Sequence, residues 1–200
     1  MFSYTAFLLP GVLGMVTFSV AMNTSWGFFM DKDSGIFYEL LTYPITRGQL
    51  LIGKICFNVL LSSTGAAFTI ILGALVMGIP IRWAWLPVTL SLVALTTAGW
   101  FFLFSIAAVK MSRMDSFNTF TSAAYIILMF MSSMFYPLDQ LPPWFRTVAY
   151  LNPMTWQVDI LRFSLLGIGT MGVALLEFAG FMIFTIGCLA MAVRTVNRAG

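Results

Sequence analysis

Charge is scarce in this sequence. Ten Lys and Arg with seven Asp and Glu make only 8% of its 200 residues, where soluble domains average about 25%. So few charges cannot cover a soluble surface of this size, which argues against a soluble core protein. Histidine is absent altogether. A zinc protease motif of the H-E-x-x-H type is therefore impossible, and a serine nucleophile lacks its usual base. A paired-aspartate mechanism needs two membrane-buried Asp residues, and here every Asp falls in a loop or a short outer helix. An enzyme is accordingly excluded. There is no G-x-x-x-x-G-K-[ST] loop to cradle nucleotide. The two cysteines, Cys56 and Cys188, lie at or inside apolar runs and read as buried structural thiols, not a disulfide framework. The net charge of +3 is spread over loops and does not point to nucleic acid.

Long uncharged runs are what the sequence has instead. They cover Met1–Met30, Ile55–Ile81, Trp83–Val109 and Ser116–Leu138, and a fifth apolar run follows Glu177 and ends at Val193. About 20 apolar residues cross the hydrocarbon core as a helix. The fifth run reaches that length if Glu177 sits near the membrane surface. Backbone groups must be satisfied within lipid, so each run is helical, and the alternation of a barrel strand is missing. Met1–Met30 has no basic n-region and no short apolar stretch ending in an A-x-A-like site, so it reads as a span and not a cleavable signal.

Basic residues mark cytoplasmic loops. One alternate set of connections holds Lys32, Arg47, Lys54, Lys110, Arg113, Arg194 and Arg198, and the other only Arg82, Arg146 and Arg162. The segment Asp31–Lys54, the Lys110 loop and the C-terminus are therefore expected in the cytoplasm, with Met1 outside. Such a count is natural if one more span precedes Met1, and otherwise describes a five-span protein that inserts its first helix unaided.

The long connection Tyr136–Thr170 is not a polar loop. Pro142 and Pro143 suit a helix start, Asn152-Pro153 supplies an N-cap and N1 pair, and Gly167 a stop. Two short helices are predicted, Pro143–Leu151 and Pro153–Leu166. Neither can span a membrane, and Trp144, Phe145, Tyr150, Trp156 and Phe163 favour the headgroup level. They are expected to form a re-entrant hairpin on the outer face, buried against protein.

The most charged stretch is "DKDSGIFYELLTYPITRGQLLIGK", Asp31–Lys54. Asp33 and Ser34 are N-cap types before "GIFYELLTY". A helix there places Ile36, Phe37, Leu40 and Leu41 on one face and Tyr38, Glu39 and Thr42 on the other. Pro44 ends it, and Thr46 and Gln49 have capping-box spacing for the next helix. The element is either a surface connector or a docking element offering its polar face to a cytoplasmic partner.

Together these stretches resemble the membrane subunits of ABC-2-type ABC transporters, the exporters of drugs, polysaccharides and lipo-oligosaccharides. "YTAFLLPGVLGM" resembles the approach to that family's second span, and the Asp31–Lys54 stretch its first cytoplasmic loop. "MSSMFYPLDQLPPWFRTVAYLNPMTWQVDILR" resembles its signature before the last span. Each motif is loose alone, whereas the ordered set is fairly specific and covers essentially the whole chain. The resemblance implies an all-α integral membrane protein with six spans in the family and five here. It also implies one cytoplasmic amphipathic coupling helix (Gly35–Tyr43), and two short re-entrant helices outside, in a single permease domain over 1–200. The chain begins just before what should be span two.

The resemblance further implies a permease subunit of an ATP-driven exporter in a prokaryotic inner (plasma) membrane. It would work as a homodimer or paired permease, with its C-terminus cytoplasmic. ATP and Mg would be held by a separate ABC ATP-binding subunit, and this chain would bind no cofactor. Gly35, Tyr38, Glu39, Thr42 and Arg47 would meet that subunit. The cargo would be amphipathic, drug-like or a lipid-linked saccharide. Asn23, Thr24, Asn118 and Thr121 are candidates for the path, since intramembrane polar groups face the protein interior; helix–helix hydrogen bonding would use the same residues. Gly65, Thr69 and Gly73 form a small-residue stripe better suited to tight packing than to a groove. Trp144, Asn152, Asp159 and Arg162 would form an external gate region, with Asp159 and Arg162 paired at i,i+3. Glu177, expected at the outer boundary, is the lone acid of the last apolar stretch. A channel or small scaffold subunit is the alternative, although no ring of charge or filter-like run is evident.

Overall fold

A computed structural model describes residues 4–40 and 42–198. Among them there is no strand, and eight helices follow in order: α1 (Tyr4–Asp33), α2 (Ile36–Leu40), α3 (Arg47–Met77), α4 (Leu86–Lys110), α5 (Met114–Phe130), α6 (Pro143–Tyr150), α7 (Pro153–Leu166) and α8 (Met171–Arg198). This is an all-α membrane protein. Four helices, α1, α3, α4 and α8, are long and apolar enough to cross a bilayer. The fourth apolar run folds as the 17-residue α5, about 26 Å long at 1.5 Å per residue, the lower limit for a span.

Helix α4 lies at the centre, packed on α1, α3, α7 and α8. Its Trp100, Phe101 and Phe104 are fully buried. Trp100 meets Phe18 of α1 edge-on at 4.8 Å and Phe181 of α8 at 6.1 Å. The outer faces of α3 and α8 stay apolar and uncovered, with Leu60, Leu75, Val76, Leu176 and Ile183 exposed. That pattern suits helices bounded by lipid or by another membrane subunit.

Polar side chains inside this apolar body are matched to one another. Gln157 of α7, fully buried, donates from Nε2 to Thr17 Oγ1 of α1 and accepts at Oε1 from Trp100 Nε1 of α4. Thr17 in turn donates to Gly14 O. Three helices are thereby joined by one closed relay. Gly11 lets α1 approach the loop after α5, because a Cβ there would lie 2.8 Å from both Met134 Cγ and Met134 O. The Gly65–Gly73 stripe is packing surface: added Cβ atoms would stand 3.2 Å from Val16 and 2.9 Å from Leu9 of α1.

Helix α3 begins at Arg47 behind the Thr46/Gln49 capping box, as the spacing predicts. Other sequence expectations shift. Helix α5 stops at Phe130 because the next residues turn to bond with α7. Cys56 is exposed while Cys188 is buried, since one face of α3 has no neighbour to cover it. Helix α7 is inserted among α1, α4, α5 and α8, but α6 buries only Ala149 and lies on the surface.

Trp100→Phe keeps the ring packing and deletes the donor to Gln157. A buried acceptor left unpaired costs about 1–3 kcal/mol. The substitution is expected to lower stability by that amount in mixed-micelle unfolding. A change below about 0.3 kcal/mol would show that the relay contributes nothing.

Candidate functional site

Two ends of the helix bundle carry the polar chemistry. At one end α1 runs to Asp33, one residue short of Ser34, whose hydroxyl bonds back to Met30 O. Ser34 thus closes α1 and does not cap α2, correcting the expected N-cap. The reversal falls at Gly35, whose φ of 82° is open to glycine at little cost. Gly35 O then accepts from the N–H groups of Tyr38 and Glu39.

Helix α2 is shorter than expected, five residues over Ile36–Leu40; Leu41 lies outside the described residues. Its apolar face is narrower too. Phe37 alone is buried, edge-on to Phe28 at 5.6 Å, whereas Ile36 is exposed because nothing covers it. Tyr38 is 48% exposed and Glu39 also faces solvent. The Thr42 hydroxyl bonds to Glu39 O. Arg47 opens α3, and its side chain lies outside the described residues.

Cations lock this end. Lys54 of α3 pairs with Asp31 of α1 at 2.5 Å. Lys32 donates to Val109 O at 2.5 Å and Met111 O at 3.2 Å, covering the last carbonyls of α4, where a positive charge is favoured. The basic ends of α1, α3 and α4 are therefore gathered on one face. Arg82 and Arg146 belong to the opposite face. Arg82 donates to Phe163 O and lies 4.6 Å above the Trp85 ring, and Arg146 donates to Asp139 O.

The four path candidates separate. Asn23 and Thr24 line a cleft of about 460 Å³ between α1 and α3 with Gly27, Lys54 and Phe57. Thr24 donates to Asn58 Oδ1 at 2.5 Å, and the buried Asn58 Nδ2 has no acceptor. Asn118 is exposed on α5, and Thr121 is buried with its hydroxyl spent on Phe117 O and Asn118 O. Among the described residues α5 makes no contact with α3, so the pairs do not share a groove.

At the hairpin end three of the four gate residues come together. Asn152 caps α7, accepting from Met154 N, while its Nδ2 donates to Leu128 O and Met131 O at 2.8 Å each. Asp159 pairs with Arg162 and accepts from the Ser133 hydroxyl at 2.8 Å. Arg162 Nη2 donates to Ser133 O at 2.9 Å. Trp144 stands apart, 66% exposed on α6. Glu177 is not at an exposed boundary: α8 starts at Met171 and buries it against α7, with 6% of its surface accessible. Sequence reading passed over Gln157, Asn58 and Ser133. An amide in an apolar helix was the available signal for the first two, while Ser133 matters only through the turn that presents its backbone.

Comparison with known proteins decides the family. The family signature described as "ABC-2 type transporter" matches residues 1–166, from the start of the chain to the end of α7. The chain belongs to the ABC-2 type transporter family. It is 27% identical over 180 residues to the inner membrane transport permease YadH of Escherichia coli (strain K12), covering 84% of this chain and 65% of that one. The putative transport permease ycf38 of Cyanophora paradoxa is 25% identical over 171 residues, 80% of this chain and 56% of the relative. Nodulation protein J of Rhizobium leguminosarum bv. viciae is 25% identical over 167 residues, 82% and 64% respectively. The chain thus spans between 56% and 65% of the length of these curated relatives. The signature of this ABC-2 family member includes both polar ends described above, α2 with its cations and the α5–α7 clamp.

Asn152→Ser keeps an N-cap oxygen but loses the two bonds to α5, and Asn152→Ala loses all three. Stability in mixed-micelle unfolding is expected to fall in the order wild type, Ser, Ala. The Ser-to-Ala step should be about 0.5–2 kcal/mol. Equal loss in both variants would assign the whole effect to the α5 clamp.

Proposed function

We propose that this chain is a membrane-spanning permease subunit of an ATP-driven ABC-2-type exporter. Energy comes from a separate ABC ATP-binding subunit, which holds ATP and Mg, and this chain binds neither. The observation that carries the reading is α2. It is a five-residue helix anchored by one buried residue, Phe37, with Tyr38 and Glu39 turned outward between cation-locked helix ends. Such an element offers a small polar surface that stays uncovered among the described residues. Gly35, Tyr38, Glu39, Thr42 and Arg47 form the docking contact. Closure of the ATP-binding subunits then moves the helices to which α2 is fixed, by making different contacts in two states.

Two permease subunits pair through the uncovered apolar faces and enclose the path. Family membership and the names of the relatives, transport permeases in two of the three cases, support transport as the activity. The YadH name supports an inner-membrane location. The basic ends gathered on the α2 face support a cytoplasmic side there, with the C-terminus on the same side. An amphipathic cargo, drug-like or a lipid-linked saccharide, suits a path bounded by apolar helices with few charges. Asn23 and Thr24 are the path residues that best keep that role, since they open into a cleft and are not wholly spent on helix bonds.

A photo-reactive residue at position 39, irradiated in native membranes, is expected to capture a P-loop ATPase. Glu39→Lys should leave insertion intact and reduce co-purification of that ATPase about tenfold, the effect of reversing one charge at a docking contact. Capture of lipid alone, or of a second copy, would overturn the docking assignment in favour of a channel or scaffold subunit.

A further inference from the structure

At the hairpin end a cavity of about 220 Å³ opens between α1, the turn after α5, α7 and α8. Its charged lining does not balance. Asp159 and Glu177 face one guanidinium, Arg162, with Asp139 exposed nearby. Arg162 is already committed to Asp159 and to Ser133 O. Glu177 is 6% exposed as a residue, its side chain lines the cavity, and it makes no hydrogen bond among the described residues. A carboxylate so placed demands a proton or a cation, because burial without a partner is costly. The other cations of this end are engaged elsewhere: Arg82 with Phe163 O and Trp85, Arg146 with Asp139 O and Leu141 O.

A second orphan lies beside the first. Arg162 is 6% exposed, its Nε is buried, and that N–H has no acceptor. Its guanidinium is held over the Phe7 ring at 4.0 Å. That Nε is shielded from the cavity, so what the cavity presents is the Glu177 carboxylate, walled by Phe7, Tyr150 and Phe163. Aromatic faces attract organic cations. Among the described residues no group of three His, Cys, Asp or Glu could hold a metal ion, so a metal does not fit.

We infer that this cavity is a binding site for an organic primary ammonium, its N–H groups donating to Glu177 between the aromatic walls. A small aryl amine has this chemistry, and so has the phosphoethanolamine headgroup of a lipid. The site is independent of whether an ATPase docks at α2, and its test does not involve ATP.

The test uses the purified chain in phosphatidylcholine nanodiscs with radiolabelled 2-amino-1-phenylethanol as probe. Saturable binding is expected, with at least a tenfold loss of affinity in Glu177→Gln. The neutral isostere 1-phenyl-1,2-ethanediol should fail to compete. Val173→Trp, which fills the mouth from an exposed position, should also abolish binding, and it decides the matter if Glu177→Gln does not fold. Discs containing phosphatidylethanolamine separate the sources: lost probe binding identifies the lipid headgroup, and unchanged binding a soluble amine. No saturable binding to the folded wild type, equal binding by Glu177→Gln, or full competition by the diol would each overturn the site.

Discussion

The relay from Thr17 through Gln157 to Trp100 is the constraint on which the arrangement of the bundle depends. In an apolar body, an amide has few places where both of its ends can be satisfied. Gln157 has one: between the hydroxyl of α1 and the indole of α4. That requirement fixes the depth and the rotation of α7 together. Once α7 is set, the rest of its surface follows. Val158 comes to rest near Gly14, and Asn152 reaches the carbonyls that end α5. Arg162 reaches Ser133 O on the turn beyond. Apolar contact alone is non-directional and would leave α7 free to slide; the hydrogen bonds specify one position.

Much of this was readable from residue order. The long uncharged runs became the long helices. Asn152-Pro153, Gly167 and the Thr46/Gln49 box mark helix ends where the structure has them. These signals are local, and local chemistry determines them. Most of what escaped was set by tertiary neighbours. Ser34 was a local ambiguity: it suits an N-cap or a C-terminal hydroxyl equally, and its bond to Met30 O, four residues back, assigns it to α1. Ile36 and Phe37 are equivalent in composition, yet only Phe37 finds Phe28. Cys56 and Cys188 both lie at or inside apolar runs, but α3 has an uncovered face and α8 packs its cysteine inward. The site residues were less legible than the spans. Asn118 and Thr121 looked equivalent to Asn23 and Thr24, and helix neighbours alone separate them.

The two ends of the bundle are built differently. The hairpin end is cross-braced by side chains that reach between elements, Asn152, Arg162 and Ser133 among them. The α2 end is braced by Lys32 and Lys54 at the helix termini, while α2 itself is attached through one aromatic contact. An isolated helix of five residues has no stability of its own. Its shape must come from what it packs against. On its inner side that is Phe28. On its outer side Tyr38 is about half exposed and Glu39 faces solvent.

This asymmetry has a mechanical consequence. A rigid body moves as a unit when pushed at a point firmly attached to it, and dissipates the push when the attachment is soft. Asp31, Lys32 and Lys54 bind α1 to α3 and α4 immediately beside α2. Phe37 ties α2 to α1 at Phe28, and Thr17 and Gln157 tie α1 to α7. The buried relay that fixes the fold is also a hydrogen-bonded route linking α1 to α7. On α7, Asp159 and Arg162 lie two and five residues beyond Gln157, and Glu177 faces them from α8. A displacement of α1 relative to α4 must break the relay or carry α7 along. An unpaired amide in this interior is costly, so the relay opposes such a displacement and holds α7, with the charged lining of the cavity, in register with α1 and α4.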